Sequence, residues 1–466
     1  MRVTVATDAL TAHCEHLEQL HSALHGGTVA LARVGGIRPD LLAAAPPAAA
    51  QSVPELVAAR TLTASAAAEA ESAVRDLRAA VARYSEAEHE QQQRTIQLGQ
   101  ELGIMLGPIL RDLLVFALPA VAVAGIAGQP TPAELLAFKQ WMLEHPELIT
   151  DPAFVEGVRA AVMGMDDTAG SAIGLPPGAA TGIAALAGFT GVQAAAPFLM
   201  GAVWPFGLLR EGPVSVDRVS TTREALGPVG SVGRLARVPE GDQVRIERYD
   251  APGHAPRYVV YVGPTETFSP VADHEPWDLT SNVAGVAGLD AGSLRATHDA
   301  MREAGIRAAD QVQVVGFSQG GLVAARIAAS GSWNVVGLET YGAPTGNVEL
   351  PSGLHGMAVR NTDDFIPALA GPQLDHHLLQ VERRAFEPGS AIPTDLAAPA
   401  HQRTAYVATA SEVDRARSAA VREQIAAMDD FTADYTRQSG SSITVMTYHA
   451  QRGVGGAGAS SGVPIP

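Results

Sequence analysis

Cysteine and lysine are almost absent from this sequence. Cys14 is the only cysteine among 466 residues, which excludes an internal disulfide and a metal site built from cysteines but leaves the redox compartment open. Lys139 is the only lysine, so arginine carries nearly all of the positive charge. Acidic residues outnumber basic ones by 49 to 32, and the formal net charge is −17. A charge of this sign disfavours nucleic acids and anionic lipid surfaces as partners.

The sequence also lacks a long uninterrupted apolar run. Residues 113–128 carry no charge, but these 16 residues fall short of the ~20 that a membrane-spanning helix needs. Residues 182–209 are uncharged as well, and glycine and proline interrupt them. Three interpretations of residues 96–210 stay open: buried packing helices, contact with a membrane, and a cover over a functional site.

The first residues do not show the basic and then apolar pattern of a signal peptide. We therefore do not expect export by that route, and the pattern leaves two addresses open. One is the cytoplasm, and the other is the cell surface or the medium, reached by a route that needs no signal peptide.

Residues 1–95 have the composition of two helices separated by a break. The arms cover about residues 7–32 and 53–93, and glycine and proline between them stop any continuous helix. Two such arms with a short connection predict an antiparallel, all-α helical hairpin.

Three further segments follow. Residues 96–215 form an apolar, Ala/Gly-rich helical region, residues 216–452 alternate strand and helix patterns, and residues 453–466 form a Gly/Ala/Ser tail that we expect to be flexible. The alternating patterns predict the α/β class with a mainly parallel sheet. We predict an edge strand at 243–249, a buried strand at 257–262, a helix at 294–304, strands at 334–341 and 356–361, a last strand at 377–386, a closing helix at 407–428 and an outer strand at 443–448.

The strongest chemical signal is the stretch Gly316-Phe317-Ser318-Gln319-Gly320. An apolar run leads into it and a helical pattern follows, which is the strand–turn–helix setting of a nucleophile elbow. The sharp turn strains the serine backbone, and side chains in place of Gly316 and Gly320 would collide with the neighbouring strand and helix. Ser318 is therefore our predicted nucleophile. A second match to the pattern at residues 458–462 lies in the tail, without a strand or a helix beside it.

A serine hydroxyl needs a base to take its proton and a third group to orient that base. Asp363, Asp364 and Asp375 are the acidic candidates that lie near strand ends after the serine. We favour Asp364 because it directly follows a predicted strand, where a carboxylate can point into the crevice at the strand end. Asp363 is the alternative.

Four histidines are candidates for the base. His376 and His377 precede the last predicted strand and so begin at its wrong end, whereas His449 follows the outer strand. His401 follows the last strand after a Pro/Ala-rich loop, and it completes the chain order of serine, acid and histidine. We therefore predict His401 as the base.

An oxyanion hole needs two donors. The backbone N–H of Gln319, directly after the nucleophile, is one, and the loop after the strand at 257–262 supplies the other. Pro264 in that loop has no N–H, so Thr265 is the predicted second donor.

These motifs together resemble the actinobacterial form of the lipase class 3 branch of the α/β-hydrolases. The resemblance covers about residues 257–406 and is carried by four motifs in order: Gly263-Pro264-Thr265, the elbow with Tyr341-Gly342-Ala343-Pro344 after it, Asp364-Phe365-Ile366-Pro367, and His401 followed by Tyr406. It implies an α/β-hydrolase fold and hydrolysis of an acyl ester or lipid through an acyl-enzyme, with no metal or cofactor. Pro264 interrupts the usual Gly-Thr pair.

Residues 1–95 resemble the small helical-hairpin proteins of the WXG100 class that type VII secretion exports. Tyr84 and Glu88 fit the Tyr-x-x-x-Asp/Glu signal of such substrates, although the Trp-x-Gly turn is missing. The resemblance implies the secretion machinery or another helical hairpin as a partner. An ordinary solvated amphipathic helix is the alternative interpretation.

Two hypotheses about function result. The first is a serine esterase or lipase fused to a secretion-type helical module. The second is an exported interaction or membrane-active protein whose hydrolase-like domain is inactive.

Overall fold

The computed structural model describes residues 2–4, 7–35, 55, 57–79, 140–163, 209–227, 229–268, 272–372 and 377–453. The chain divides into two compact units, one comprising Val5–Arg94 and the other Met1–Thr4 with Thr95–Pro466. The candidate signal residues Tyr84 and Glu88 lie outside the described residues, as do Asp375, His376 and the tail from residue 454 onwards.

The smaller unit contains two described helices, α1 (Thr7–Gly35) and α2 (57–79). Glu18 of α1 and Arg78 of α2 form an ion pair. His21 Nδ1 lies 2.9 Å from the carbonyl oxygen of Ala67, which is buried. Both described helices therefore fall within the predicted arms, except that α1 continues to Gly35.

Among its described residues, the larger unit contains a mixed sheet of nine strands in the order β1-β8-β7-β6-β5-β4-β3-β9-β2. The strands are β1 (Arg2–Thr4), β2 (Val214–Arg223), β3 (Val244–Asp250), β4 (Arg257–Val262), β5 (Gln311–Phe317), β6 (Asn334–Tyr341), β7 (His355–Asn361), β8 (Leu379–Arg383) and β9 (Ser442–Arg452). The five consecutive strands from β4 to β8 run parallel, and the pairings outside them are antiparallel. The predicted α/β class is thereby confirmed.

Helices lie between and beside these strands. They are α3 (Pro146–Ile149), α4 (Pro152–Met163), α5 (Gly230–Arg237), α6 (Leu279–Val286), α7 (Gly292–Glu303), α8 (Gln319–Ala329), α9 (Arg403–Asp414) and α10 (Ala419–Arg437), with single 3₁₀ turns at Pro367–Ala370 and Pro399–His401. The central strands are apolar runs, and Val260, Val314 and Leu338 are fully buried in the core. Continuous apolar strands are expected where helices cover both faces of a parallel sheet.

The predicted edge strand at 243–249 is not at an edge. It corresponds to β3, which pairs with β4 on one side and β9 on the other. Its alternation comes from buried charges: Glu247 is 0% exposed and accepts a hydrogen bond of 2.7 Å from Tyr249 Oη. Arg245 and Arg237 form ion pairs with the same Glu247 carboxylate. The charged residues Arg245 and Glu247 of this strand therefore form buried ion pairs and do not indicate a face exposed to solvent.

The structure differs from the predictions in other elements as well. The closing helix at 407–428 is two helices, α9 and α10, which the residues after Asp414 separate. The outer strand at 443–448 is part of β9, which lies inside the sheet between β3 and β2. Two edge strands, β1 and β2, were not predicted. Among the described residues, no helix has the length and apolar character needed to cross a membrane.

Candidate active site

The turn between β5 and α8 has the geometry of a strained elbow. Ser318 has φ 55° and ψ −123°, a backbone conformation that is costly for a residue with a side chain. A Cβ on Gly316 would overlap the Gly320 carbonyl, and a Cβ on Gly320 would overlap the Val262 carbonyl. Both glycines are therefore required by close packing of backbone on backbone, as predicted from the motif. The Ser318 N–H donates to the Tyr341 carbonyl at 2.8 Å and holds the turn against β6.

Ser318, His401 and Asp364 are joined by hydrogen bonds in series. His401 Nε2 lies 2.8 Å from Ser318 Oγ, and His401 Nδ1 lies 2.6 Å from Asp364 Oδ2. With its proton on Nδ1, the imidazole donates to the carboxylate and accepts from the serine hydroxyl. All three predicted residues are thus brought together in the predicted order.

Each member of this group is held by a different element. Ser318 lies between β5 and α8, Asp364 follows the end of β7, and His401 ends the 3₁₀ turn at Pro399–His401. Ala398 has φ 50°, a left-handed conformation that directs the chain into that turn. The His401 ring stacks on Phe317, with 5.3 Å between ring centroids and 22° between planes. The imidazole is therefore fixed by its stacking partner as well as by its hydrogen bonds.

The alternative acid, Asp363, has other partners. Its Oδ1 accepts a hydrogen bond of 2.8 Å from the Ala385 N–H, and its Oδ2 accepts one of 2.9 Å from the Phe386 N–H. Burial raises the pKa of Asp363, and the two backbone donors oppose this rise. Asp363 thus fixes the chain after β8 and is not the partner of His401. Of the other candidate bases, His449 lies on β9, which β3 and β4 separate from β5, and His377 precedes β8.

Two further groups donate to the Asp364 carboxylate, and Asn361 holds the chain before His401. Tyr406 Oη donates to Asp364 Oδ2 at 2.8 Å, and the Ile366 N–H donates to Asp364 Oδ1 at 3.0 Å. Asn361, the last residue of β7, donates from Nδ2 to the Ala400 carbonyl at 2.8 Å. The sequence motif contains Tyr406 but assigns it no role. For Asn361 the only signal was a polar residue at the end of an apolar strand.

The two predicted oxyanion donors lie on two segments of backbone that pack against each other. The Gln319 N–H begins α8, and no described residue accepts a hydrogen bond from it. Its side chain turns away, with Nε2 3.3 Å from Ser293 Oγ and 3.4 Å from the Asp278 carbonyl. Because Gly320 packs directly on the carbonyls of Val262 and Gly263, the loop after β4 runs beside the elbow.

Thr265 lies in that loop. Its hydroxyl accepts a hydrogen bond of 2.9 Å from Asn282 Nδ2, and within the described parts of the chain its N–H has no acceptor. The Glu266 N–H donates to the Trp277 carbonyl at 2.8 Å, which anchors the loop. The Thr265 hydroxyl is therefore engaged elsewhere, and its backbone N–H is the group left to donate.

One helical segment packs against the residues that follow Asp364 and against Ala398, shortly before His401. The segment comprises residues 140–163, including α3 and α4, and its apolar side chains form a cluster with Phe365 and Ala368. Phe154 meets Phe365 edge to face, with 6.3 Å between centroids. Ile366 and Ala398 pack against the same cluster. This described part of the region at 96–210 therefore packs inside the larger unit, against residues near Asp364 and His401.

Within the residues that the structure describes, no group of three or more His, Cys, Asp or Glu side chains is arranged to hold a metal ion. The site itself presents a hydroxyl, an imidazole, a carboxylate and two backbone N–H groups.

Comparison with protein-family models, with curated proteins and with solved structures gives no match to this chain, so the assignment of function depends on the geometry of the site itself.

Proposed function

We propose that this protein is a serine hydrolase that cleaves carboxylic esters through the Ser318–His401–Asp364 triad. One observation carries the proposal: a serine in a strained strand–helix turn, an imidazole 2.8 Å from its hydroxyl and a carboxylate 2.6 Å from the other ring nitrogen. This is the arrangement that a weak nucleophile requires for activation.

The reaction proceeds in two stages. His401 takes the proton from Ser318 Oγ while the oxygen attacks the ester carbonyl, and the tetrahedral intermediate collapses to an acyl-enzyme as His401 protonates the leaving alcohol. A water molecule, deprotonated by His401, then attacks the acyl-enzyme; the bond to Ser318 Oγ breaks, His401 returns the proton to Oγ, and the acid is released. Asp364 keeps the imidazole in the tautomer that this sequence needs and stabilises the imidazolium that forms.

Negative charge develops on the carbonyl oxygen in both stages. The backbone N–H groups of Gln319 and Thr265 are the proposed donors to this oxygen, because both are free among the described residues and lie on adjoining backbones. The Gln319 N–H also lies at the positive end of α8.

We assign the sheet-bearing unit to the α/β-hydrolase fold. The support is its parallel strands β4–β8, the nucleophile directly after β5, the acid after β7, and the histidine after β8. The resemblance of its motifs to lipase class 3 enzymes favours an acyl ester or a lipid as the substrate.

A fluorophosphonate probe tests this function. Such a probe reacts covalently with an activated serine, and we expect it to label the wild-type protein and not the Ser318→Ala variant. Ser318→Ala should also lower kcat on a simple ester by roughly 10⁴–10⁶-fold. Ser460→Ala, in the second copy of the motif, is the matched control and should leave labelling unchanged.

If the wild-type protein reacts with neither the probe nor any ester, the alternative hypothesis of an interaction or membrane-active protein with an inactive hydrolase-like domain gains support.

We propose in addition that residues 1–95 form a secretion-type helical hairpin and that the protein reaches the cell surface or the medium with the help of the type VII machinery. The support is the pair of helices α1 and α2 and the Tyr84/Glu88 pattern. Tyr84→Ala should retain the protein inside the cell, and equal secretion of both forms would contradict this assignment.

A further inference from the structure

Asp364 shares its Oδ2 atom between two donors. His401 Nδ1 lies at 2.6 Å from this oxygen and Tyr406 Oη at 2.8 Å, so the base and the tyrosine share one acceptor atom. Tyr406 is fully buried on α9, and its ring contacts both His401 and Phe317. Burial first, and the Asp364 charge second, raise the pKa of Tyr406 well above its ordinary value. The hydroxyl therefore keeps its proton and acts as a donor throughout the working pH range.

Asn361 forms hydrogen bonds both to Tyr406 and to the turn that carries His401. Its backbone N–H donates to Tyr406 Oη at 3.1 Å, and its side-chain Nδ2 donates to the Ala400 carbonyl, directly before His401, at 2.8 Å. Its Oδ1 accepts a hydrogen bond of 2.7 Å from Thr409 Oγ1 on α9. The side-chain amide thus has a defined orientation. Asn361, at the end of β7, is bonded to Tyr406, to Thr409 and to the residue before His401.

The fold provides space for the tyrosine ring. Gly342 follows β6 with φ +58°, and a Cβ there would lie 2.8 Å from Tyr406 Cζ and 2.9 Å from its hydroxyl. The glycine of the Tyr341-Gly342-Ala343-Pro344 motif is thus explained by contact with Tyr406, whose hydroxyl reaches Asp364 from this position.

We infer that Tyr406 is a positioning residue of the triad, whose hydroxyl orients the Asp364 carboxylate and takes a share of its charge, and that Asn361 and Thr409 hold this arrangement in place. The inference rests on the proposed function, because it assigns Tyr406 an effect on the same serine, histidine and carboxylate.

Removal of the hydroxyl has two expected consequences. Asp364 loses one of three donors and becomes less well oriented, which lowers kcat. Its Oδ2 atom then accepts a hydrogen bond from His401 alone, so the carboxylate charge stabilises the imidazolium more strongly and the acid limb of the kcat/KM profile moves to higher pH.

The other charged groups near this network stay unchanged in such a variant. Asp363 is bonded to backbone N–H groups, and Arg360 of β7 is paired with Glu382 of β8 at 2.9 Å. The charges of Glu156 and Arg159 of α4 act on Arg360 as well, and these two residues form an ion pair with each other. A shift of the acid limb therefore reports the loss of the hydroxyl alone.

The test compares Tyr406→Phe with the wild-type protein in two measurements. The first is the pH profile of kcat and kcat/KM on a soluble ester, where we expect kcat to fall about tenfold, as for one lost hydrogen bond to a charged group. We expect KM to stay the same and the acid limb to move to higher pH. The second is the proton NMR resonance of the His401 Nδ1–H bond in the resting protein, assigned by its loss in His401→Gln. This resonance should move downfield.

Tyr435→Phe is the matched control, because Tyr435 is also buried and its hydroxyl donates to the Ala255 carbonyl at 2.7 Å, away from the triad. It should lower the thermal midpoint to a similar degree and leave the acid limb and the resonance unchanged. Thr409→Val, which frees the Asn361 amide, should lower kcat with no change in KM.

The inference is wrong if Tyr406→Phe moves neither the resonance nor the acid limb, or if Tyr435→Phe moves them equally. The resonance is measured without substrate, so it tests the positioning role even if no ester is cleaved. Failure of the proposed function would instead appear as absent labelling of Ser318 in the wild-type protein.

Discussion

Asp363 and Asp364 are adjacent carboxylates with different partners. Asp364 accepts hydrogen bonds from an imidazole and a phenol, whereas Asp363 accepts from two backbone N–H groups after β8. Both are buried, so neither exposure nor sequence position separates their roles. The direction in which each side chain points separates their roles.

Substitution of each carboxylate by an amide should therefore give opposite results. Asp364→Asn should lower kcat by roughly 10⁴-fold, because the amide favours the wrong imidazole tautomer. Asp363→Asn should destabilise the fold by about 1–3 kcal/mol, since one backbone N–H loses its acceptor, and leave kcat per folded molecule unchanged. Urea unfolding and kcat measured on both variants check this. A loss of turnover in Asp363→Asn alone would reverse our assignment of the acid.

His298 gives the fold a dependence on pH. Its Nδ1 accepts a hydrogen bond of 2.8 Å from Trp333 Nε1, and burial lowers the pKa of His298 below 6.5. The unfolded chain therefore binds a proton more readily than the folded one, so the contribution of His298 to stability is complete above the unfolded pKa and is lost as pH falls through the folded pKa. Urea unfolding at about pH 7.5 and about pH 5.5 should show a smaller loss on acidification for His298→Gln than for the wild-type protein. Equal losses would contradict the prediction.

At the scale of elements, the contact between the elbow and the loop after β4 leaves no space for a methyl group at Gly320. Gly320→Ala should separate α8 from this loop and cost more than about 3 kcal/mol, with loss of esterase activity. Gly227→Ala is the control, because a Cβ there meets nothing within 4 Å. Circular dichroism melts and kcat/KM provide the comparison. A stable, active Gly320→Ala protein would show that the elbow tolerates a different packing.

The segment at 140–163 should affect the site through packing alone. Phe154→Ala removes the ring that covers Phe365, next to Asp364, and should cost about 3 kcal/mol of local stability. Faster hydrogen exchange in 140–163 and a lower kcat are the expected results. Leu148→Ala, at a side chain that is 41% exposed, should change neither. Unaltered kcat in Phe154→Ala would mean that the loops of Asp364 and His401 hold their positions without this segment.

Sequence patterns predicted the parallel core and the triad because both depend on local signals. Apolar runs identify strands that are covered on both faces, and the order of serine, acid and histidine follows from which strand each residue ends. β3 was misread because Arg245 and Glu247 pair with each other inside the protein, and such a pair has the same alternating pattern as a solvated face.

Asn361 and Thr409 were missed because their hydrogen bonds join residues that are far apart in the sequence: Asn361 and Ala400 are separated by 39 positions, and Asn361 and Thr409 by 48. A single polar residue at a strand end does not reveal such partners. Likewise β2 is a polar strand with only scattered apolar residues, as expected at an edge, and this pattern is indistinguishable from a loop without its neighbour β9.

For the whole molecule, the net charge of −17 bears on which surfaces the protein approaches. At low salt, hydrolysis of a neutral ester should be slower in phosphatidylglycerol vesicles than in phosphatidylcholine vesicles, because like charges repel. The difference should vanish in 1 M NaCl, where the Debye length is about 3 Å. Rates corrected for the Ser318→Ala background test this. Faster hydrolysis on anionic vesicles would indicate a basic local surface.

The pairing of β1 with β8 has a consequence for the order in which the protein is assembled. Arg2 lies opposite Glu382, so β1 has no hydrogen-bonding partner until β8, far along the chain, has been made. A contact of such high sequence separation forms late, after the local hairpins and βα units. Until then β1 has no partner strand, whereas α1, which follows β1 directly in the chain and depends on local contacts, can already form.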